Sequence, residues 1–353
     1  MRLLDDQLRG TSVDLVLNRE ISGIQVQFAD PTQVIGTRGF AVLRSTDGGV
    51  SWIKIGSAAG RGGEALLDRI ALYGRATRRR VHHIYPYDGE KWLLVNKGEF
   101  LVLDEHGRVK RIPMPGSGSR PLRDGLVIQG ERIIFGEYCL NPHRSGVSIY
   151  SVRGGSQDAL FQFAPGRIRH IHTLQYDPYG ESYWIGTGDE DPECLVGRFT
   201  SDFEVLQVLE EGSQQWRTVS FAFLPGGVYW GTDIPEGGNQ VFRYDRKTSA
   251  VEPVFEVQGP IYYSRVVNDW ILFCTTAEDH SSFGGLGRIY LYNHKTGAHS
   301  VGWQDRKDWL PSHLFGYGIY EFPRGGLEGN AFWVSTRGFR GGIRSLLFEI
   351  RDE

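Results

Sequence analysis

Apolar and polar residues alternate along this chain with the period of two that is typical of β-strands. Short runs such as GIQVQFAD (23–30) and EFLVLDEHG (99–107) combine aromatic or β-branched residues with turns rich in glycine and aspartate. No segment has a helical pattern of useful length. The pattern therefore predicts an all-β protein built from many short antiparallel strands.

One short motif recurs along the chain. In its clear copies, two or three large apolar residues precede a small residue and then a threonine or an acid. Seven copies occur, at 34–39, 93–98, 133–138, 183–189, 228–233, 272–278 and 332–338. Each copy lies between two further strand-like runs, and several units show a fourth run. Turns such as D-G-G, E-H-G and K-T-G join the third run to the fourth as hairpins.

Seven units of about four strands predict a seven-bladed β-propeller of four-stranded antiparallel blades. The whole chain, 1–353, is then a single propeller domain. The predicted blades are 14–56, 81–114, 122–165, 167–211, 214–257, 259–303 and 308–353. Residues 57–80 form an insertion between the first two blades, in which we expect a short helix.

The composition supports this fold class and excludes one class of partner. The chain has 47 glycines, 12% aromatic residues and only two methionines, which suits strands and turns better than helices. The net charge is −3 and no basic block occurs, so we expect no nucleic-acid partner. Cys139, Cys194 and Cys274 lack C-x-x-C spacing, which indicates a reducing compartment without disulfides or structural zinc.

The N-terminal sequence MRLLDDQLRGTSVDLVL is interrupted by acids and does not resemble a secretory signal. No apolar run is long enough to cross a bilayer, so we expect no membrane partner. We therefore predict a cytoplasmic protein. An exported, extracellular protein whose signal had been removed would show the same features, and nothing in the sequence indicates the oligomeric state.

The segment STDGGVSW (45–52) matches the pattern S-x-D-x-G-x-x-W. It resembles the Asp-box of sialidases and similar propellers, which carry the BNR repeat. The resemblance implies a turn in which Asp47 caps the hairpin backbone and Trp52 packs beside it, away from any chemistry. A sialidase also needs an arginine triad, for which Arg38, Arg217 and Arg337 are the candidates, but the F/Y-R-I-P start of that family is missing.

The funnel around a propeller's axis is the expected ligand site, because the inner strand of each blade begins where the second strand ends. His170 and His172 begin the inner strand of blade four and Asp189 ends its second strand, so we expect them to meet. The same reasoning brings other polar residues to this face: Arg38, His82, His83, Lys97, Glu137, Tyr138, Glu190, Asp191, Trp216, Arg217, Asp233, Asn239, Tyr262, Tyr263, Glu278, His313 and Arg337. The expected ligand is a glycan or another small polar molecule.

Each of these residues also has a purely structural interpretation. The two histidines can satisfy buried backbone groups, Arg217 can clamp a neighbouring carbonyl or acid, and Asp233 can cap a turn. Glu137 and Tyr138 can form a hydrogen bond between blades, and GDEDPE (188–193) can be a solvated loop. The convergence of His, Tyr, Arg, Glu and Asp on blades three to five favours function over structure alone.

This set resembles the site of propeller-fold polysaccharide lyases, which cut uronate-containing glycans. Such a lyase needs an arginine to neutralise the substrate carboxylate, a base to remove the C5 proton and an acid for the leaving oxygen. We assign these roles to Arg217, to His172 or His170, and to Tyr138. Glu137 belongs to the candidate catalytic set. The candidates for substrate binding are Arg38, Trp216, Asp233, Asn239, Tyr262, Tyr263, Glu278, His313 and Arg337. An intracellular lyase would act on oligosaccharides.

Two other functions stay open. A glycoside hydrolase would use Glu137 with Asp189 or Asp233, at a separation of about 5 Å for retention or about 6.5–9.5 Å for inversion. A non-catalytic propeller would bind a glycan or a protein, with Trp216, Tyr262 and Tyr263 as stacking surfaces for sugars.

A divalent metal is also compatible with the sequence. His170, His172 and Asp189 are candidate ligands, and Asp233 or Glu137 would complete the shell. Mixed nitrogen and oxygen ligands suit zinc or manganese, whereas the acidic loop alone would suit calcium. We expect no other cofactor.

Overall fold

The computed structural model describes residues 13–59, 81–96, 98–116, 120–278 and 284–352. Within these ranges, 29 strands form seven sheets, which are the blades of a propeller. The predicted helix in the insertion falls on residues 60–80, outside the described residues. The all-β fold and the seven four-stranded antiparallel blades predicted from the recurring motif are confirmed.

The first strand in the described residues is β1 (Val13–Ser22), and blades one to four follow it in order. Their strands are β2 (Gln25–Ala29), β3 (Val34–Arg38), β4 (Ala41–Ser45) and β5 (Ile53–Ser57) in blade one; β6 (His83–Tyr87), β7 (Lys91–Asn96), β8 (Glu99–Leu103) and β9 (Val109–Pro113) in blade two; β10 (Leu126–Gln129), β11 (Arg132–Gly136), β12 (Val147–Arg153) and β13 (Ser156–Phe163) in blade three; and β14 (His170–Asp177), β15 (Ser182–Gly188), β16 (Leu195–Phe199) and β17 (Leu206–Glu211) in blade four.

Blades five to seven complete the ring. Their strands are β18 (Phe221–Leu224), β19 (Gly227–Gly231), β20 (Asn239–Asp245) and β21 (Val251–Val257) in blade five; β22 (Ile261–Val267), β23 (Trp270–Thr275), β24 (Leu286–Asn293) and β25 (His299–Arg306) in blade six; and β26 (Ile319–Glu321), β28 (Ala331–Arg337) and β29 (Arg344–Asp352) in blade seven. The two-residue strand β27 (Arg324–Gly325) follows β26 in the chain and pairs with β2 of blade one. Short helical turns lie at Asp191–Glu193, Gln214–Trp216 and Ser312–Phe315.

The ring is closed by strands from distant parts of the chain. β1 pairs antiparallel with β29, from Val13 opposite Asp352 to Ser22 opposite Arg344, and so becomes the outer strand of blade seven. The predicted first blade, 14–56, was therefore wrong at its start: residues 13–22 belong to blade seven, and blade one begins at β2. A local hydrophobic pattern cannot reveal this pairing because the partner lies at the other end of the sequence.

The small residue of the recurring motif lies where neighbouring blades pack. A Cβ atom added to Gly136, at the end of β11, would lie 2.5 Å from Ile171 in β14 of the next blade. Gly231 in β19 meets Ile261 of β22 in the same way. The apolar residues before this glycine fill the space between sheets, as the fully buried Phe135 and Trp230 show. The small residue of the motif therefore lies where neighbouring blades approach each other most closely.

The turn at 45–52 has the hydrogen bonds expected of it. Asp47 Oδ1 accepts from the backbone N–H of Val50 at 3.0 Å and of Ser51 at 2.9 Å, and Trp52 Nε1 donates to the carbonyl of Gly49 at 3.1 Å. Hydrogen bonds from Ser51 and Ser45 hold the pKa of the Asp47 carboxyl below its usual range. These hydrogen bonds stabilise the turn locally, at the outer edge of blade one. Among the described residues, no helix has the length and apolar character needed to cross a membrane.

Candidate functional site

The start of β14 places two imidazoles in the funnel. The pairing of β14 with β15 shifts register between Ile171 and Thr173, so His172 is the extra residue of a β-bulge. β2 and β22 have the same shift, at Gln27 and Tyr262. A β-bulge changes the direction of a single side chain. Three blades have such a bulge at the equivalent position of the inner strand.

His170, His172 and Asp189 form a compact cluster, as the sequence predicted for the two ends of segment 169–193. The two Nε2 atoms are 3.0 Å apart, and Asp189 Oδ1 lies 3.2 Å from His172 Nε2 and 3.5 Å from His170 Nε2. Both histidines are buried, and the Asp189 side chain is 21% exposed. The cluster therefore faces the funnel through its carboxylate.

The protonation states of the cluster suit a cation. His170 Nδ1 donates to the carbonyl of Cys139 at 2.7 Å, so Nε2 is the ring atom that faces His172 and Asp189. Burial lowers the pKa of His172 to about 4, so its ring is neutral at neutral pH. Burial alone would raise the pKa of Asp189, but the hydrogen bonds from His170 and His172 hold it well below its usual range.

The three atoms also fit the geometry of a metal site. Cis ligands of an octahedral ion with bonds of about 2.1 Å are about 3.0 Å apart, and ligands of a tetrahedral ion are about 3.4 Å apart. The three measured separations, 3.0, 3.2 and 3.5 Å, bracket these values. His172 Nδ1 is buried without a hydrogen-bond partner among the described residues. The donor set, two imidazoles and one carboxylate, suits zinc or manganese better than calcium.

Two arginines hold the Asp189 carboxylate from other sides. Arg169 Nη1 donates to Asp189 Oδ2 at 2.8 Å, and its Nε donates to the carbonyl of Leu140 at 2.8 Å. Arg217 Nη2 lies 3.4 Å from Asp189 Oδ1. The Gln214 side chain donates to the carbonyl of Asp189, and the backbone N–H of Asp189 donates to Glu193 Oε2 at 3.2 Å. The carboxylate is thus fixed in one orientation, as a ligand requires.

Arg217 joins this cluster to a second acid. Its Nε donates to Asp233 Oδ2 at 3.0 Å, so one guanidinium contacts two carboxylates. Burial raises the pKa of Asp233 to about 7, although Arg217 opposes this shift. The attraction of Asp233 and Asp189 outweighs burial and raises the pKa of Arg217. Asp189 is therefore ionised at neutral pH, while Asp233 can exchange a proton.

A ring and a cation lie beside the cluster. The Tyr138 ring centroid is 4.3 Å from that of His170, and burial raises the pKa of Tyr138. Arg120 donates to the His82 ring, with Nε2 at 2.8 Å. Burial lowers the pKa of Arg120 to about 10, and the positive charge of Arg337 adds to the effect. Glu321, the acid whose charge acts on Arg120, already accepts from Arg337 at 3.0 Å, so this side of the funnel is positive.

Several predicted site residues lie in the same funnel but outside the cluster. Tyr262 lies close to Asp233, Tyr138 and Glu278, and burial raises its pKa well above the usual value. Tyr263 is buried next to Glu321 and Arg337. Arg38 and His313 are exposed.

Three other predicted residues have mainly structural contacts. Asn239 is fully buried, and its amide bonds Thr232 and the backbone of Ile234. Glu137 accepts from the backbone N–H of Ser148 at 2.7 Å. Trp216 packs against Phe242 with ring centroids 5.0 Å apart. The structure does not bring these three side chains to the histidine cluster.

The sequence analysis missed three residues of the site: Arg120, Arg169 and Gln214. Arg169 directly precedes His170, and the motif RHIH could have indicated it. Gln214 lies in a turn, three residues before Arg217, and its contact with Asp189 depends on the loop fold. Arg120 lies in an irregular segment without a pattern, so no local signal could have found it.

This chain is thus a seven-bladed propeller with a buried His-His-Asp cluster in its funnel. No family model matches the sequence, and no curated protein matches it. Solved structures with the same fold include an oligogalacturonate lyase in complex with manganese, which is 9% identical with a TM-score of 0.61 and covers 98% of this chain and 95% of its own.

Virginiamycin B lyase from Staphylococcus aureus is 11% identical with a TM-score of 0.60, covering 95% of this chain and 99% of its own. A chain of a mitotic checkpoint complex is 11% identical with a TM-score of 0.58 and covers the whole of both chains. These neighbours differ in function, so the likeness shows the propeller fold alone. Membership of the Asp-box superfamily stays a prediction.

Proposed function

We propose that this protein is a divalent-metal-dependent lyase that cleaves uronate-containing oligosaccharides by β-elimination. The observation that carries the proposal is the triangle of His170 Nε2, His172 Nε2 and Asp189 Oδ1, with sides of 3.0, 3.2 and 3.5 Å. These three residues would hold a zinc or manganese ion. A bound ion would act as a Lewis acid that neutralises the substrate carboxylate and makes the C5 proton more acidic.

Arg120 is the better candidate for a second contact with the substrate carboxylate. Arg217, which the sequence suggested for this role, already contacts Asp189 and Asp233. Arg120 lies on the positive side of the funnel, where Arg337 is paired with Glu321. We therefore assign carboxylate recognition to Arg120, and to Arg217 the orientation of the two acids.

The proton transfers require a base and an acid. With the imidazoles engaged as ligands, Asp233 is the base, since a pKa of about 7 lets it accept the C5 proton at neutral pH. The C–H electrons then form the C4=C5 double bond while the C4–O bond breaks. Tyr138, which is protonated at neutral pH, donates a proton to the leaving oxygen. Without a metal, His172 would act as the base, as the sequence suggested.

The structural neighbour with a lyase name and a bound manganese supports this proposal only as an analogy of fold. The test is direct. Purified protein is incubated with a panel of uronate-containing oligosaccharides, oligogalacturonate among them, and the absorbance of the unsaturated product is followed. We expect activity that EDTA removes and that added Mn²⁺ or Zn²⁺ restores.

Two variants locate the reaction. His172→Ala should lose the activity, whereas His106→Ala, which changes an exposed histidine on a turn of blade two, should keep it. Activity that survives EDTA but not His172→Ala would favour the metal-free mechanism. Absence of product with every substrate would contradict the lyase proposal. Calorimetry with the same panel would then test the non-catalytic, glycan-binding alternative.

One observation favours a second candidate, a glycoside hydrolase. Arg217 contacts both Asp189 and Asp233, and the environments push their pKa values apart: Asp189 stays ionised while Asp233 titrates near 7. An ionised and a protonated carboxyl group are what a glycosidase needs. Release of reducing ends without ultraviolet absorbance, lost in Asp233→Asn, would support this candidate over the lyase.

A further inference from the structure

A second cavity lies away from the funnel, toward the other end of the central channel. It has a volume of about 190 Å³ and is formed by the end of β22, the segment between β26 and β28, and Ala29 of blade one. Arg265, Asn268 and Arg324 are among its lining residues. Arg265 follows the funnel residue Tyr262 by three positions, about 10 Å along the strand. The cavity is therefore separate from the histidine cluster.

Arginines outnumber acids around this cavity. Arg324 Nη2 donates to Asp124 Oδ1 at 2.7 Å and to the carbonyl of Arg123 at 2.7 Å. Arg123 donates to the side chain and the carbonyl of Gln27, at 3.0 and 3.1 Å. Among the described residues, Arg265 donates to the carbonyls of Pro323 and Gly325 and to no side chain. Asp124 neutralises one of these three guanidinium groups.

The excess charge is poorly solvated. Burial lowers the pKa of Arg265 to about 10, and the charges of Arg324 and Arg123 add to the effect. In the described part of the chain, Asp124 is the only acid that acts against this shift. Arg324 Nε is buried without a hydrogen-bond partner among the described residues. Partly buried cations with too few counter-charges are costly, and an anion in the cavity would lower that cost.

We propose that this cavity binds a small dianion, of which a phosphate group is the best match. Three arginines and one aspartate leave two positive charges, and guanidinium groups bind phosphate oxygens through paired N–H donors. The space accommodates one phosphate group with water rather than a large ligand. The alternative is that Arg265 only clamps the 323–325 segment to blade six, and this alternative predicts no response to anions.

Thermal unfolding with increasing inorganic phosphate tests the proposal, with sodium chloride at equal ionic strength as reference. We expect the midpoint to rise with the logarithm of the phosphate concentration, as for a ligand of the native state. Arg265→Gln should weaken phosphate binding at least tenfold. Arg288→Gln is the matched control, because Arg288 also bonds a backbone carbonyl and lies in the same blade; it should respond as the wild type does.

A second variant keeps the test valid if Arg265→Gln fails to fold. Asn268→Asp places a negative charge at the exposed edge of the cavity without removing an arginine, and it should also weaken the phosphate response. A response that disappears in Arg120→Gln but persists in Arg265→Gln would place phosphate in the funnel and overturn the proposal. Equal responses to acetate and phosphate would overturn the dianion assignment. None of these measurements depends on lyase activity.

Discussion

The two ends of the central channel use arginine in opposite ways. At the funnel, Arg169 and Arg217 each contact Asp189, so their charges fix a carboxylate beside two imidazoles. At the far end, Asp124 is the acid that pairs with Arg324, and the hydrogen-bond partners of Arg265 in the described ranges are backbone carbonyls. The first arrangement leaves lone pairs for a cation, and the second leaves positive charge for an anion. The groups that neutralise each arginine therefore distinguish the two sites better than the number of arginines does.

The largest expected effect is the loss of the metal ligand at the funnel end. Asp189→Asn removes the charged oxygen of the triangle, so Mn²⁺ or Zn²⁺ affinity measured by calorimetry should fall about 100-fold or more. Glu190→Gln changes the next, exposed acid of the same loop and should leave the affinity unchanged. The phosphate response of Asp189→Asn should equal that of the wild type; a loss of both would show that the two ends are not independent.

The next largest effect is expected for a change in packing beside the histidine cluster. Gly136→Ala forces Ile171, which lies between the two histidines, to move, so we expect a loss of about 1–3 kcal/mol in the free energy of unfolding and weaker metal binding. Chemical denaturation measures the first effect. Gly226→Ala is the control, since a Cβ there meets no atom within 4 Å. Unchanged metal binding in Gly136→Ala would mean that the position of Ile171 does not matter to the cluster.

These predictions depend on features that the sequence reveals to different degrees. The recurring motif predicts seven blades because its glycine and apolar residues are fixed by contacts between neighbouring sheets, as at Gly136 and Gly231. The meeting of His170 and Asp189 was predictable for the same reason: adjacent strands β14 and β15 bring His170 opposite Gly188. Short-range pairing leaves a local signal.

Contacts between distant segments leave no such signal. β1 has its partner more than three hundred residues away, so its place in blade seven could not be read from its own residues. The roles of Arg120 and Arg217 depend on which acids are already paired in the folded funnel. The bulge at His172 is a property of the β14–β15 register, and the sequence HIHT does not encode it visibly.

A smaller effect is expected for a residue that only supports the cluster. Arg169→Gln removes the donor to Asp189 Oδ2 but none of the three ligand atoms, so metal affinity should fall about tenfold. Arg153→Gln, on an exposed position of blade three, is the control for loss of one charge. A fall as large as that of Asp189→Asn would mean that Arg169 does more than orient the carboxylate.

The smallest effect concerns the pH dependence of stability in metal-free protein. Burial raises the pKa of Asp233 to about 7 in the folded state, above its value of about 3.9 in the unfolded chain. The stability that this group contributes is therefore complete below about pH 4 and is lost as the pH rises through 7. Asp233→Asn should remove this loss, so the difference in the free energy of unfolding between the variant and the wild type, measured by urea unfolding, should grow in favour of the variant from pH 5 to about pH 7 and then level off. A difference between the two proteins that does not change with pH would contradict the raised pKa.

The pairing of β1 with β29 also determines when blade seven can be completed during synthesis. During synthesis, blades one to six can assemble as they emerge, but blade seven stays incomplete until β28 and β29 have been made. Glu321 and Arg337, which form the positive side of the funnel with Arg120, belong to that blade. The funnel is therefore one of the last parts of the molecule to acquire its final charge arrangement, and a nascent chain that lacks blade seven would have the histidines in place before the ion pair of Arg337 and Glu321.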